Sequence, residues 1–170
     1  MGFYRDLTAR QMLRFIAELN GIPVEGKNGG QGEARIEEAL ESVGLASEAD
    51  REIGTYSRGM RQRLGLAEIL LKAPRIAIMD EPTLGLDPDA TNHMLSAIES
   101  LSREKRMTVL LSSHMLGQVQ RICSRVGIMI GGRMVAQGTM EQLAAEKIGV
   151  ETGTYTLEEI YMKYFKEAER

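Results

Sequence analysis

Ile76-Ala77-Ile78-Met79-Asp80-Glu81-Pro82-Thr83-Leu84-Gly85-Leu86-Asp87-Pro88 is the stretch on which the fold turns. Its four unbroken apolar residues read as a short parallel strand buried on both faces. Two adjacent carboxylates close that strand. Asp87-Pro88 then opens a helix, with Asp as N-cap and Pro at the first helical position. Met94, Leu95, Ile98 and Leu101 form its apolar stripe. Thr108-Val109-Leu110-Leu111 repeats the buried-strand pattern. Strand, helix and strand in this order imply an α/β layer with a mostly parallel sheet. Carboxylates at the carboxyl end of such a strand sit at the sheet edge where ligands bind. Strand alternation aims them in different directions. One can hold a metal ion while the other faces a reacting water, a division that suits phosphoryl transfer. A bare Asp-Glu pair is more often two solvated acids, so the surrounding residues decide.

Upstream of Pro74 the pattern is helical. Thr8-Ala9-Arg10-Gln11 reads as a capping box. Met12, Phe15, Ile16 and Leu19 follow at helical spacing, and Gly21 closes that helix. Pro23 to Gly32 holds four glycines and reads as a loop. A second helix places Ile36, Ala39, Leu40 and Val43 on one face and stops at Gly44. Ser57 caps a third helix reaching to about Lys72, with Leu64, Ala67, Leu70 and Leu71 inward. Downstream, Leu116, Val119, Ile122 and Cys123 face inward from another helix. Val126 to Ile130 and Arg133 to Gln137 flank Gly131-Gly132, which reads as a hairpin turn. Thr139 with Gln142, and Thr156 with Glu159, open two terminal helices. The last carries a stripe of Leu157, Ile160, Tyr161, Tyr164 and Phe165.

Composition agrees with a globular chain. There are 170 residues, 43% hydrophobic and 26% charged, with 21 Lys+Arg against 24 Asp+Glu. That is enough apolar content for a sizeable core and too much for a disordered chain. The net charge of -3 lacks the basic excess of a dedicated nucleic-acid binder, so no nucleic-acid partner is expected. A single cysteine, Cys123, excludes an internal disulfide and fits a reducing compartment. No apolar run approaches the roughly 20 residues of a membrane span, and Met1 to Asp6 has no signal-peptide core. Any membrane contact is therefore expected to go through a partner.

Three further segments stand around the Asp-Glu pair: Tyr56-Ser57-Arg58-Gly59-Met60-Arg61-Gln62-Arg63-Leu64 before it, Pro82 to Pro88 after it, and Leu111-Ser112-Ser113-His114, whose histidine lies 33 residues beyond Glu81. In this order and spacing they resemble the ATP-binding cassette (ABC) family. The resemblance is to the ATP-binding subunits of transporters, most of all those serving drug- and polysaccharide-type exporters, and runs from residue 1 to about 145. It implies a P-loop NTPase fold of the ABC ATPase type, incomplete here. Residues 1–73 correspond to the helical subdomain with its signature loop, and 74–150 to the C-terminal half of the parallel-sheet core. Residues 151–170 correspond to a C-terminal amphipathic helix.

The resemblance also implies roles. Asp80 is the Walker B aspartate on Mg²⁺. Glu81 is the general base or water-orienting residue, and His114 the switch-loop histidine that contacts the γ-phosphate of ATP. Asp87 belongs to the D-loop, which crosses a dimer interface. Ser57, Arg58 and Gly59 form the signature loop, which meets the γ-phosphate held by a second ATPase subunit. A helix N-terminus suits that task, because its free N–H groups and dipole favour an anion. Two residues depart from the family pattern: Arg58 stands for glycine and Met60 for glutamine. Arg58 adds positive charge beside the loop; Met60 donates no hydrogen bond. The implied partners are a membrane permease and a second ATPase subunit, and the implied location is the cytoplasmic face of the cell membrane. Helix 8–19 is expected near the surface that receives the permease.

One family element is missing. The nearest match to Gly-x-x-x-x-Gly-Lys-Ser/Thr is Gly21-Ile22-Pro23-Val24-Glu25-Gly26-Lys27-Asn28. It follows a helix, carries Glu25 where phosphate would lie, and has Asn28 in place of the Mg²⁺-binding hydroxyl, so we reject it. Phe3 to Thr8 resembles the text just after the family's glutamine-bearing Q-loop. The resemblance thus begins in mid-domain, and the chain reads as the C-terminal part of a cassette. Without a phosphate-cradling loop it is expected to neither bind ATP tightly nor hydrolyse it alone. An open sheet edge is expected to favour aggregation.

Two other readings compete. A non-transport ABC ATPase with a split cassette would flank its halves with coiled coils, and no heptad run exists here. A non-enzymatic chain would complete the signature side of a full-length ABC subunit. His93 reads as a partly exposed helix residue, Cys123 as a small buried hydrophobe, and Met12, Met79 and Met129 as core packing. Arg58, Arg61 and Arg63 read as a solvated helix face or a phosphate-facing patch, and only Arg58 adjoins the loop.

Overall fold

The computed structural model describes residues 4–24, 29–148 and 155–168. Two compact units divide the chain, Met1–Ser112 and Ser113–Arg170.

The first unit opens with three helices: α1 (Ala9–Leu19), α2 (Gly29–Ser42) and α3 (Arg58–Lys72). The capping box at α1 forms in both directions, since the Thr8 hydroxyl accepts from the Gln11 amide and the Gln11 side chain accepts from the Thr8 amide. The buried stripe of α1 is Ala9, Met12, Leu13, Ile16 and Ala17. Phe15 and Leu19, which share its helical spacing, are 42% and 70% exposed. Phe15 stands edge-on to Tyr4 at the surface, ring centroids 6.1 Å apart. The stretch expected to be loop up to Gly32 is helical from Gly29. Gly32 is required there, because a Cβ would lie 2.1 Å from the Pro23 carbonyl oxygen. The end of the rejected phosphate-loop match, Glu25 to Asn28, lies outside the described residues. Ile36, Ala39, Leu40 and Val43 of α2 are buried as expected, and Gly44 stops the helix at φ +64°. Ser57 caps α3 by accepting from the Met60 amide at 3.2 Å. Leu66 joins Leu64, Ala67 and Leu71 in the α3 core, while Leu70 is half-buried.

The chain then enters β1 (Ile76–Asp80), α4 (Pro88–Arg103) and β2 (Thr108–Ser112). β1 and β2 pair in parallel, with Ile76 opposite Thr108 and Asp80 opposite Ser112. Asp87 caps α4, accepting from the Ala90 amide at 2.8 Å, with Pro88 at the first helical position. The expected stripe of Met94, Leu95, Ile98 and Leu101 is buried. The expectation of strands buried on both faces fails. Ala77 and Met79 are buried, whereas Ile76, Ile78 and Leu110 are 62%, 74% and 61% exposed. Apolar runs in parallel strands presuppose a layer on each face, and the described residues supply only one.

The second unit holds α5 (Leu116–Ile122), β3 (Val126–Ile130), β4 (Arg133–Gly138), α6 (Met140–Ile148) and α7 (Leu157–Ala168). β3 and β4 form the expected antiparallel hairpin through Gly131 and Gly132, at φ +57° and +75°. Two consecutive positive φ values are what a tight hairpin turn demands. The described strands therefore make one parallel and one antiparallel pair. Both terminal capping boxes form, at Thr139–Gln142 and Thr156–Glu159. Val126, Ile128, Leu143, Ala144, Leu157, Ile160 and Tyr164 make the core of this unit. Met12 and Met79 are buried as read, but Met129 is 59% exposed and is not core. Cys123 is half-buried, and burial pushes its thiol pKa up.

Candidate functional site

The end of β1 is where sequence and geometry converge. Asp80 closes the strand and is exposed; Glu81 follows, half-buried. Parallel pairing sets Ser112 directly opposite Asp80. The Ser112 hydroxyl donates to Asp80 Oδ1. It also accepts from the Glu81 amide at 3.2 Å, and that amide reaches the Ser112 carbonyl at 3.1 Å. Ser112 thus binds the carboxylate of one acid and the backbone of the next. Sequence reading missed it. The signal was its register at the carboxyl end of the second strand, within the segment that carries the histidine.

Glu81 has φ +46°, in the left-handed region. A residue with a side chain holds this conformation at a cost of about 1–3 kcal/mol and only where its surroundings impose it. Here the imposed bend sends Glu81 out of strand alternation and turns the chain into the loop 82–87. Leu84 N–H bonds the Glu81 carbonyl at 3.1 Å and Leu86 N–H the Thr83 carbonyl at 3.2 Å. Thr83, within this loop, is buried.

The first turn of α3 sits against the same loop. Gln62 Nε2 donates to the Leu84 carbonyl at 3.2 Å. A Cβ on Gly59 would meet Leu86 Cδ2 at 3.1 Å. Arg58 lies over Gly85. Ser57, Arg58, Gly59, Asp80, Glu81 and Asp87 all belong to the first unit, with Arg58 and Gly59 packed on the segment that leads from Glu81 to Asp87. His114 falls in the second unit, exposed, between β2 and α5.

The other arginines of the candidate cluster serve the fold. Arg61 donates to the Tyr56 carbonyl. Arg63 donates to the carbonyls of Val43 and Gly44 at 3.0 and 2.9 Å, covering the end of α2. A cavity of about 250 Å³ beside Arg63, Leu66, His93 and Met94 includes none of the predicted site residues. His93 is exposed on α4, its ring 3.7 Å from the Asp89 carboxylate, as a surface helix residue.

No group of three His, Cys, Asp or Glu converges among the described residues. Asp80 can supply one oxygen ligand. That donor set suits Mg²⁺, which takes most of its ligands from phosphate and water, and does not suit a caged structural metal. None of the described strand-to-helix connections, 81–87, 113–115 or residue 139, is a glycine-rich phosphate cradle. Among the described residues no helix is long and apolar enough to cross a membrane.

β1, ending on Asp80, pairs in parallel with β2, ending on Ser112, and likeness to known proteins identifies this layer as part of a P-loop NTPase fold of the ABC ATPase type. Residues 3–84 match the ABC transporter family. The chain is 40% identical over 142 residues to the bacitracin transport ATP-binding protein BcrA of Bacillus licheniformis, covering 84% of this chain and 44% of that protein. It is 37% identical over 152 residues to the linearmycin resistance ATP-binding protein LnrL of Bacillus subtilis (strain 168), covering 89% of this chain and 47% of that protein. A solved structure of the ATP binding subunit of an ABC transporter superimposes with a TM-score of 0.78 at 28% identity, covering 96% of this chain and 65% of that one. The chain is of the ABC transporter ATP-binding family. It spans a little under half the length of the curated relatives named here.

Proposed function

We propose that the protein to which this chain contributes hydrolyses ATP as a dimer of cassettes and energises a separate membrane permease. The observation that carries this is the Asp80–Glu81 pair at the carboxyl end of β1, with Ser112 fixing one carboxylate and the following backbone amide. In this reading Asp80 holds Mg²⁺ and Glu81 orients or deprotonates the attacking water. His114 contacts the γ-phosphate. Ser57 and Gly59, with Arg58 beside them, face the γ-phosphate held by the opposite subunit, and Asp87 lies at the dimer interface. ATP supplies the phosphoryl group and Mg²⁺ neutralises its charge. Segments 1–73, 74–150 and 151–170 act as helical subdomain, half core and terminal helix.

Tyr4, Phe15 and Leu19 expose apolar side chains at and before α1. They support docking of a permease at that helix, and with it a position on the cytoplasmic face of the cell membrane. The names of the relatives, with bacitracin transport and linearmycin resistance, favour an exporter-type system.

The 170-residue chain alone is inactive in this proposal, because no described segment cradles phosphate. Phosphate release by the purified chain should stay at background. A rate that disappears with Glu81→Gln would overturn that. The parent reading is tested by sequencing the coding region upstream of Met1 for an in-frame Gly-x-x-x-x-Gly-Lys-Ser/Thr. Where one exists, the longer product should hydrolyse ATP, and Glu81→Gln should lower kcat by roughly 100-fold or more.

A further inference from the structure

We infer that Arg58 is a positioning residue for the loop 82–87: its guanidinium, laid over Gly85, seats that loop on the first turn of α3. Residues 58, 59 and 62 lie along one edge of that turn, at the spacing that brings helical side chains together. Each touches a successive loop residue. Gln62 Nε2 bonds the Leu84 carbonyl at 3.2 Å, Arg58 covers Gly85, and Gly59 abuts Leu86. A Cβ built on Gly85 would lie 2.7 Å from Arg58 Nη1 and 2.9 Å from Cζ. The space above Gly85 is therefore occupied by the flat of the guanidinium. Gly85 has φ +73°, which glycine alone adopts freely. A planar, delocalised cation packs flat on a bare peptide in a way that a lysine ammonium does not. The glycine of the family pattern at position 58 would leave this patch uncovered.

The loop is fastened elsewhere as well. At its start the Glu81 amide is bound by Ser112, and at its end Asp87 caps α4. Arg58 and Gln62 hold the middle. Any displacement of the signature turn is then passed to the segment that joins Glu81 to Asp87. The assignment rests on the ABC reading for what the loop does, but the packing stands on geometry alone.

The test uses the 170-residue chain without nucleotide, so failure of the ATPase reading leaves its outcome untouched. Amide hydrogen exchange is followed in Arg58→Gly, Gln62→Leu, Gly85→Ala and the Arg58→Gly/Gly85→Ala double variant. Arg58→Gly should speed exchange at Leu84 and Leu86 by about tenfold while α1, α2 and the β3–β4 hairpin keep their rates. Gln62→Leu should act on the same amides. The methyl of Gly85→Ala displaces the guanidinium, so the double variant should exchange no faster at Leu84 and Leu86 than Gly85→Ala alone. Unchanged exchange at these amides in Arg58→Gly, or independent addition of the two substitutions, would overturn the inference. So would a uniform rise across α1 to α3, which would make Arg58 a support of the whole helical layer.

Discussion

The helical layer α1–α3 and the parallel pair β1–β2 lie in one unit and are built to different degrees of completion. Leu13, Ile36, Leu40, Leu45 and Leu64 of the helical half are fully buried. Its polar surface is also tied together. Arg10 pairs with Glu37 and Asp50, Arg14 with Glu33, and Ile53 N–H bonds the Leu7 carbonyl at 2.9 Å. The sheet, by contrast, has one covered face and one open face. Ile76, Ile78 and Leu110 stand in solvent, where burial would be worth about 1.5–3 kcal/mol for each side chain. The helical layer has its apolar side chains covered, whereas the strand pair, with the acidic residues at the end of β1, leaves one apolar face open.

The largest expected effect comes from setting the two regions against each other. Leu40→Ala should destabilise the chain by about 3 kcal/mol in urea unfolding followed by circular dichroism. Ile78→Thr, on the open face, should cost less than about 0.5 kcal/mol and should reduce self-association in light scattering. Equal costs would mean that the open face is covered in solution.

Next come the helix caps that flank the site. Ser57→Ala and Asp87→Ala should each cost about 1 kcal/mol, while Ser57→Gly should cost only a few tenths. A far larger loss in Asp87→Ala would show that the sheet half depends on its cap more than the helical half does.

A pH series separates the second unit from both. Burial, with Glu146 beside it, pushes the Tyr164 phenol up to about 12. The folded state therefore keeps a proton that the unfolded chain gives up near pH 10. Stability from this group is full below that value and is lost as pH rises toward about 12. Burial raises the Tyr56 phenol as well, so absorbance near 295 nm should show late-titrating tyrosine, and Tyr164→Phe should remove the part of it that titrates last.

The smallest effect is at the surface of the helical half. Glu38 bonds Lys105 at 2.8 Å, and that hydrogen bond and charge hold its carboxyl below the usual range. With its folded pKa lowered, the pair contributes above the ordinary carboxylate pKa and loses its contribution as pH falls. Both groups are exposed, so Lys105→Met should change the acid midpoint only slightly, and 1 M NaCl should abolish the difference.

Element placement was largely legible in the sequence because local chemistry sets it. Thr8, Ser57, Asp87, Thr139 and Thr156 each offer a side-chain oxygen to an amide three residues on, and each opens its helix as read. Gly131-Gly132 sets its turn for the same reason. Burial was less legible where it depends on a distant partner. An apolar run such as Ile76 to Met79 records the surroundings a strand is made for, which the described residues only half supply. Phe15 and Leu19 fit the helical period of α1, yet the stripe that packs is Met12, Leu13 and Ile16. The acidic pair was visible from its strand and its neighbours. Ser112 was not, because only the parallel register brings it to Asp80. Arg58 on Gly85 was hidden likewise, in a contact across 27 positions of sequence.

Glu81 holds a backbone conformation that its side chain disfavours. Glycine or asparagine at that position would relax the turn and, by the usual ranking of residues at positive φ, raise the stability of the chain. Selection for thermal robustness alone would then remove the carboxylate that the proposed chemistry requires. A library of this chain sorted only for folding should therefore lose Glu81 early, and its persistence among natural variants would be a direct sign that something other than folding keeps it there.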